Sequence, residues 1–387
     1  MYRKTYVKID NKVLTDNVKK IVKKYNNYKY FIGVVKANAY GHGDYIVNDL
    51  IKGGINYLAV SSLEEAISIR KYNKEIPILV LEPVPLEHLK VFEENNITIT
   101  VDSLNYAKEL LEKEITNKLK VHVKLDTGMN RLGIKNKDEV TKTINLLQEN
   151  KNIILEGIYT HIGTSGISDI YYDKSIEKFK YLTSDIDLSK IEIVHLNRSI
   201  TLVHHKPYSF ETGTRLGIIM YGFNQSLPNP TGLRKIKRNL LIKKLGISES
   251  ILSNDLDLHT AFSLYSEVIS LRTVKKGEYI GYGANYIAKK DMIVATIPIG
   301  YHDGIKKEIK YVSINNKQYE IVGDICMDMI QVHVDKTIKL NDKVELFGNN
   351  IKIKDVSLRT NTNAYQILTN ITTRVPRIYS DNTEIKY

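Results

Sequence analysis

Between about residues 30 and 220, short β-branched runs alternate with longer stretches of helical period, and this alternation constrains the fold more than any other feature of the chain. Repeated strand-helix units call for a parallel sheet, because each strand must return through a crossover before it can lie beside its predecessor. The expected strands are Tyr30 to Val35, Tyr57 to Val60, Ile78 to Leu81, Ile97 to Val101, Lys120 to Leu125, Ile154 to Thr160, Glu192 to His195, and a weaker last one near Ser209 to Glu211 or Gly217 to Met220. Helices are expected between them, for example Glu64 to Lys71 and Ser103 to Lys113. Eight such units in about 200 residues predict a compact (β/α)8 TIM barrel, an α/β fold.

After residue 260 the texture changes to strand runs punctuated by Gly and Asn turns: Phe262 to Thr273, Lys276-Gly277-Glu278, Met292 to Pro298, Asn315-Asn316 and Lys343 to Asn350. This reads as a mainly β domain with one helix near Val356 to Ile371. Pro228, Pro230 and Gly232 mark the boundary. The expected division is therefore a barrel over 1–225, whose first ten or so residues can pair with the later domain, an interdomain segment over 226–260, and the β domain over 261–387.

A hydrophobic content of 42% and a charged content of 26% are ordinary for a globular protein, which excludes bulk disorder. Lys and Arg exceed Asp and Glu by 56 to 44, yet the lysines are scattered along expected helices (Lys19, Lys20, Lys23, Lys24; Lys174, Lys178, Lys180). That spread argues against a nucleic-acid surface, and no nucleic-acid partner is expected. The single cysteine, Cys326, cannot form an intrachain disulfide and is expected as a small buried side chain. The segment Met292 to Ile299 is among the longest apolar stretches and is far shorter than the roughly 18 residues a membrane helix needs. A cytoplasmic protein with no membrane partner is expected. His204-His205 has no acidic or cysteine partner at ligand spacing, so no metal site is expected.

The residues most capable of chemistry follow the expected strand ends, which form the catalytic face of a TIM barrel. Strand one runs into Lys36-Ala-Asn-Ala-Tyr40-Gly-His-Gly43; a lysine at an apolar strand end can have its amine pKa lowered by desolvation and can form a Schiff base. Gly41-x-Gly43 lacks the third glycine of a dinucleotide fingerprint, and no Walker A motif occurs. Further along stand Lys124-Leu-Asp-Thr-Gly-Met-Asn-Arg131-Leu-Gly, Thr160-His161, His195-x-Asn-x-Ser199, Arg215-x-Gly217-Ile218 and Tyr221-Gly222. The β domain adds Gly281-Tyr282-Gly283, Gly300-Tyr301-His-Asp303, Cys326-Met327-Asp328-Met329 and Arg374-Val-Pro-Arg377. Over essentially its whole length the chain resembles the alanine racemase family, pyridoxal phosphate enzymes of fold type III.

The resemblance implies an amino-acid racemase, interconverting L- and D-alanine by a two-base mechanism and supplying D-amino acids for peptidoglycan. It implies that Lys36 holds pyridoxal 5'-phosphate and moves a proton on one face of the substrate Cα, while Tyr282 serves the other face. Tyr40, Ser199, Gly217 and Ile218 would hold the phosphate, Arg215 would face the pyridine nitrogen, and His161 would join the cofactor network. Arg131 and Met327 would bind the carboxylate of the small amino-acid substrate, Lys124 matches a position that can be carbamylated, and Thr373 and Tyr301 would set specificity. A head-to-tail homodimer with shared sites is also implied.

Three departures bear on the substrate. Thr373 stands where many members carry a tyrosine, Ile162-Gly-Thr-Ser-Gly166 is smaller than the family pattern, and the stretch from 224 to 259 is longer. Serine or broader racemisation is therefore the alternative, and a non-catalytic pyridoxal phosphate protein is the reading from a different class. Such carriers end after the barrel, whereas this chain continues. Decarboxylases of this fold place an acidic residue where Arg215 stands.

Overall fold

The computed structural model describes residues 3–165, 170–223 and 256–385 and, between the last two, 232–233, 236–237 and 239–240. Most of the 226–260 segment, and Gly166, lie outside the described residues. The chain divides into two compact units: 14–37 with 44–259, and 1–13 with 38–43 and 260–387.

The first unit is a closed eight-stranded parallel barrel of Tyr30–Val34, Tyr57–Val60, Ile78–Val80, Ile97–Val101, Leu119–Leu125, Ile153–Thr160, Ile193–Arg198 and Gly213–Leu216. Strand residues such as Tyr57, Leu58, Ala59 and Val60 are all buried, as a parallel strand covered on both faces requires. The helices begin on side-chain caps: Ser62 Oγ accepts from Glu65 N before Leu63–Arg70, and Ser103 Oγ from Tyr106 N before Leu104–Leu111. The eighth strand lies at neither expected position. Gly213-Thr-Arg-Leu216 pairs with Tyr30–Val34 on one side and Ile193–Arg198 on the other, closing the barrel. Its inward Arg215 and its glycine break the apolar pattern by which a buried strand is recognised.

The second unit is built on a seven-stranded sheet with strand order Lys317–Glu320, Tyr311–Ile314, Lys343–Phe347, Phe262–Glu267, Tyr6–Ile9, Arg377–Tyr379 and Glu384–Ile385. Tyr6–Ile9 runs antiparallel to Phe262–Glu267 and parallel to Arg377–Tyr379, so the start of the chain is stitched between two late strands. A three-stranded sheet joins Ser270–Val274, Met292–Ile297 and Ile330–Val334. The expected run from Phe262 to Thr273 is thus two strands in different sheets. Asn315 and Asn316, at φ 50° and 63°, make a two-residue hairpin turn with both φ positive. The single helix expected near Val356 to Ile371 is two, Ile353–Arg359 and Ala364–Asn370, interrupted at Asn361, whose φ is 46°, and restarted by an Asn363 cap.

Lys36–Tyr40, which follows the first barrel strand, is a helical turn of the wrong hand: φ is 53°, 53°, 49° and 53° at Ala37, Asn38, Ala39 and Tyr40. Left-handed helix costs an L-residue roughly 1–2 kcal/mol at each position, so the surroundings must impose it. Within the second unit they do. Gly43 N donates to Asn38 O at 2.9 Å, and His42 N and Nδ1 both lie 3.1 Å from Ala39 O. Gly41, at φ 80°, packs so tightly that a Cβ would sit 2.3 Å from Leu368 O. Buried Arg377 donates through Nε to Gly41 O, and the Tyr379 hydroxyl donates to His42 O. In the barrel unit, Ala37 N donates to Glu65.

The hand of this turn has a testable sign. In a right-handed helix Ala→Gly costs up to about 1 kcal/mol, whereas at φ 53° glycine relieves strain. Ala37→Gly should leave the urea unfolding midpoint unchanged or raise it, by up to about 1 kcal/mol of stability. A fall of about 1 kcal/mol would mean an ordinary helix.

Candidate active site

In the barrel unit, Lys36, Lys124, Arg131, His161, Ser199, Arg215, Gly217 and Ile218 lie at or near the C-terminal strand ends. The loop that follows Leu119–Leu125 is folded by its own sequence. Asp126 Oδ1 accepts from Gly128 N and Asn130 N, and Ile134 N donates to Lys124 O. Gly133, at φ 119°, is required here because a Cβ would lie 2.6 Å from the Leu125 carbonyl carbon. This turn leaves Arg131 exposed just beyond the barrel strand. Lys36 is half-buried, and Lys124 is buried with Nζ 5.0 Å from the centre of the Tyr159 ring.

Arg215 dominates the electrostatics. It is 3% exposed, and among the described residues no carboxylate lies within ion-pair distance. Its charge is instead solvated by fixed acceptors. Nη1 donates to His195 Nδ1 and His195 O, both at 2.7 Å, and Nη2 donates to Thr160 O at 2.7 Å and Leu196 O at 3.0 Å. A guanidinium has five N–H donors; four are spent, and the Nε–H remains for something else. Burial lowers the Arg215 pKa to about 10, which still leaves a cation at neutral pH.

That cation conditions its neighbours. Burial, then the charges of Arg215 and Arg131, lowers the Lys124 amine to about 8. Burial, then Arg215, Arg198 and Arg131, lowers His161 to about 2, so its imidazole is neutral. A pocket crowded with positive charge fits an anionic ligand. Ser199 Oγ accepts from Gly217 N at 2.9 Å, so two of the residues the sequence suggests for a phosphate are neighbours, with Ile218 next in the chain. The donor set fits pyridoxal phosphate: cations and amides for an anion, and one buried N–H for a ring nitrogen.

The second unit gathers its own group. Tyr301 N and His302 N donate to Cys326 O and Met327 O, and Gly300 permits the approach, since a Cβ there would lie 2.2 Å from Met327 O. Asn285 Nδ2 donates to Asp324 at 2.7 Å, tying the Tyr282–Ala284 turn to the same loop. Thr372 N donates to Asp303 O, and Arg374 pairs with Asp328, so both chain neighbours of exposed Thr373 are tied to the loops that carry Tyr301 and Met327. Tyr282 is 73% and Met327 51% exposed. Tyr40 belongs to this unit, its ring 5.7 Å from that of Tyr365. Cys326 is half-buried rather than buried, because it lies on the loop rather than in the core.

Sequence reasoning passed over His122 and Glu156. Both are buried inside the barrel, where His122 Nδ1 is 3.0 Å from His195 Nε2 and His122 Nε2 is 3.1 Å from Glu156. The signal was present in Lys120-Val-His122-Val-Lys124, whose alternation places every polar side chain on the inward face of its strand.

Two family models cover the chain: alanine racemase, N-terminal domain, over residues 9–225, and alanine racemase, C-terminal domain, over 261–379. Alanine racemase 1 of Bacillus subtilis is 33% identical over 392 residues, covering 99% of this chain and 95% of that protein. The crystal structure of alanine racemase from E. faecalis superposes with a TM-score of 0.87 at 29% identity, covering 98% of this chain and 99% of that one. Histidine racemase from Leuconostoc mesenteroides subsp. sake superposes at 0.84 with 25% identity, covering 98% of both chains. With matching models over both parts of its length and relatives matched end to end, the chain belongs to the alanine racemase family.

Proposed function

We propose that this protein interconverts L- and D-alanine with pyridoxal 5'-phosphate as cofactor. The observation that carries the reading is Arg215, a buried cation with four donors fixed on protein acceptors and the Nε–H left over. Pyridoxal phosphate, when bound to a substrate amine, withdraws electrons and acidifies the Cα–H bond.

Lys36 would hold the cofactor, and its freed amine would move a proton on one face of Cα. Arg215 would donate towards the ring nitrogen; an arginine keeps its own proton, so that nitrogen would stay unprotonated. Ser199, Tyr40 and the amides of Gly217 and Ile218 would bind the phosphate, and neutral His161 joins the network around the ring. Arg131 and the Met327 backbone would orient the carboxylate. Lys124, with an amine lowered to about 8, is partly unprotonated near neutrality and so reactive towards carbon dioxide; the carbamate would be an anion set beside Arg131.

Tyr282 would serve the opposite face of Cα. The exposure of Tyr282 and Met327 supports a head-to-tail homodimer in which these residues complete a partner's site. D-alanine made in this way would supply peptidoglycan assembly. No helix among the described residues is long and apolar enough to cross a membrane, in keeping with a cytoplasmic enzyme. Thr373 supports a second reading, a pocket that also accepts serine, because a threonine leaves more room than the tyrosine of many relatives.

Tyr282→Phe keeps the ring and removes the proton, so racemisation should fall by roughly 100-fold or more while the cofactor still binds. Mixing inactive Lys36→Ala and Tyr282→Phe chains should restore part of the activity, since some heterodimers hold one intact site. Parental activity in Tyr282→Phe would remove it as the second base. Thr373→Tyr should lower the serine-to-alanine ratio of kcat/KM by up to about 1–3 kcal/mol, the worth of one small group in a pocket. An unchanged ratio would place Thr373 outside the pocket.

A further inference from the structure

Four side chains form an unbroken line of hydrogen bonds within the barrel: Arg215 Nη1 to His195 Nδ1 at 2.7 Å, His195 Nε2 to His122 Nδ1 at 3.0 Å, and His122 Nε2 to Glu156 Oε2 at 3.1 Å. All are essentially removed from water, at 3%, 0%, 0% and 5% exposure. Glu156 is braced further by the Tyr57 hydroxyl and by Lys120, each at 2.6 Å, and the Tyr57 hydroxyl also contacts Thr98 Oγ1. His195 stacks on Tyr159 with ring centres 4.6 Å apart. The fold makes room deliberately: Gly157 pairs with His122 across two strands, and a Cβ there would lie 2.5 Å from the imidazole.

The line has one possible sense. A guanidinium can only donate, so His195 Nδ1 must accept and its proton sits on Nε2. That proton is donated to His122 Nδ1, which leaves the His122 proton on Nε2, facing the Glu156 carboxylate. Protonating His122 on both nitrogens would force His195 to accept at Nε2 and carry its proton on Nδ1, where it would confront an Arg215 N–H. The local charges agree with neutral rings. Burial first lowers His122 and His195, the latter well below the usual imidazole range. Arg215, which never accepts, and the Glu156 carboxylate, which never donates, fix this sense from the two ends.

We propose that Glu156 and His122 are positioning residues for racemisation: through His195 they hold the acceptor that aligns Arg215, and so keep its Nε–H on the cofactor's ring nitrogen. The inference rests on the reading of Arg215 given above. Its chemical consequence is reaction specificity. If the ring nitrogen gains a proton, the cofactor draws electrons more strongly, and the Cα proton can be delivered to the cofactor's aldehyde carbon instead of back to Cα. Hydrolysis then transfers the amino group. One alanine and one pyridoxal phosphate become one pyruvate and one pyridoxamine phosphate, with no external oxidant.

The test has a structural and a chemical arm. In 15N-histidine-labelled protein without cofactor, His122 and His195, assigned with His122→Phe, should both be neutral with the proton on Nε2. Glu156→Gln, which keeps the shape but offers an amide N–H as well as an acceptor, leaves the line fixed at the Arg215 end only, so a second His122 tautomer, with its proton on Nδ1, should appear beside the parent one. In the holoenzyme, Glu156→Gln and His122→Phe should raise pyruvate formed per racemisation event by about tenfold, by analogy with the loss on removing a partner that orients a metal ligand. A parent His195 with its proton on Nδ1, or folded variants with the parental pyruvate fraction, would overturn the proposal. The tautomers need no turnover and no variant stability, so the parent spectrum decides even where a variant fails to fold. A parent that shows the predicted tautomers but racemises nothing would instead count against the functional reading.

Discussion

The structure of the barrel depends on one buried positive charge that has no ion-pair partner among the described residues. An isolated cation in a protein interior costs several kcal/mol unless it is fully hydrogen-bonded. Here the Arg215 guanidinium is met by three main-chain carbonyls and an imidazole, all supplied by the two preceding barrel strands. The arrangement requires the eighth strand to close between the first and the seventh, and it requires inward-facing polar residues where most barrels of this type pack branched aliphatics. Burial, reinforced by the same charge, keeps His161 and His195 neutral and lowers the Lys124 amine. A positive interior of this kind is a standing demand for an anion.

The second unit shows a different constraint. Its elements pin a left-handed turn that no short peptide would hold, and they spend buried Arg377 and the Tyr379 hydroxyl on the carbonyls of Gly41 and His42. The segment that follows Lys36 is thereby rigid although it is not strand or ordinary helix. A held backbone there suits the proposed role of Lys36 as covalent anchor, because a reactive lysine is useful only when its amine is kept in one place.

Much of this was legible in the residues. Seven of the eight barrel strands and the change to β structure after 260 follow from periodicity, and the Lys36, Tyr282 and Arg215 segments carried the family resemblance directly. The eighth strand was not legible, because Gly213-Thr-Arg-Leu216 trades apolar pattern for the cation that the site needs. The broken helix near Asn361 was hidden because asparagine adopts positive φ without the glycine that usually announces it. His122 and Glu156 were overlooked for a third reason: a polar side chain inside a strand looks like an exposed face until closure of the barrel turns that face inward. Tertiary closure, which no local pattern encodes, is what converts their alternation into a hydrogen-bonded line.

The central claim is that this chain removes the Cα proton of alanine and returns one on either face while leaving the amino group in place. Incubating the purified, cofactor-loaded protein with L-alanine in deuterium oxide, and following chirality, Cα deuterium and pyruvate together, tests it most directly. The account predicts that D- and L-alanine approach equal amounts, both deuterated at Cα, with pyruvate a small fraction of turnovers. Deuterium entering L-alanine without any D-alanine, or pyruvate as the main product, would contradict it.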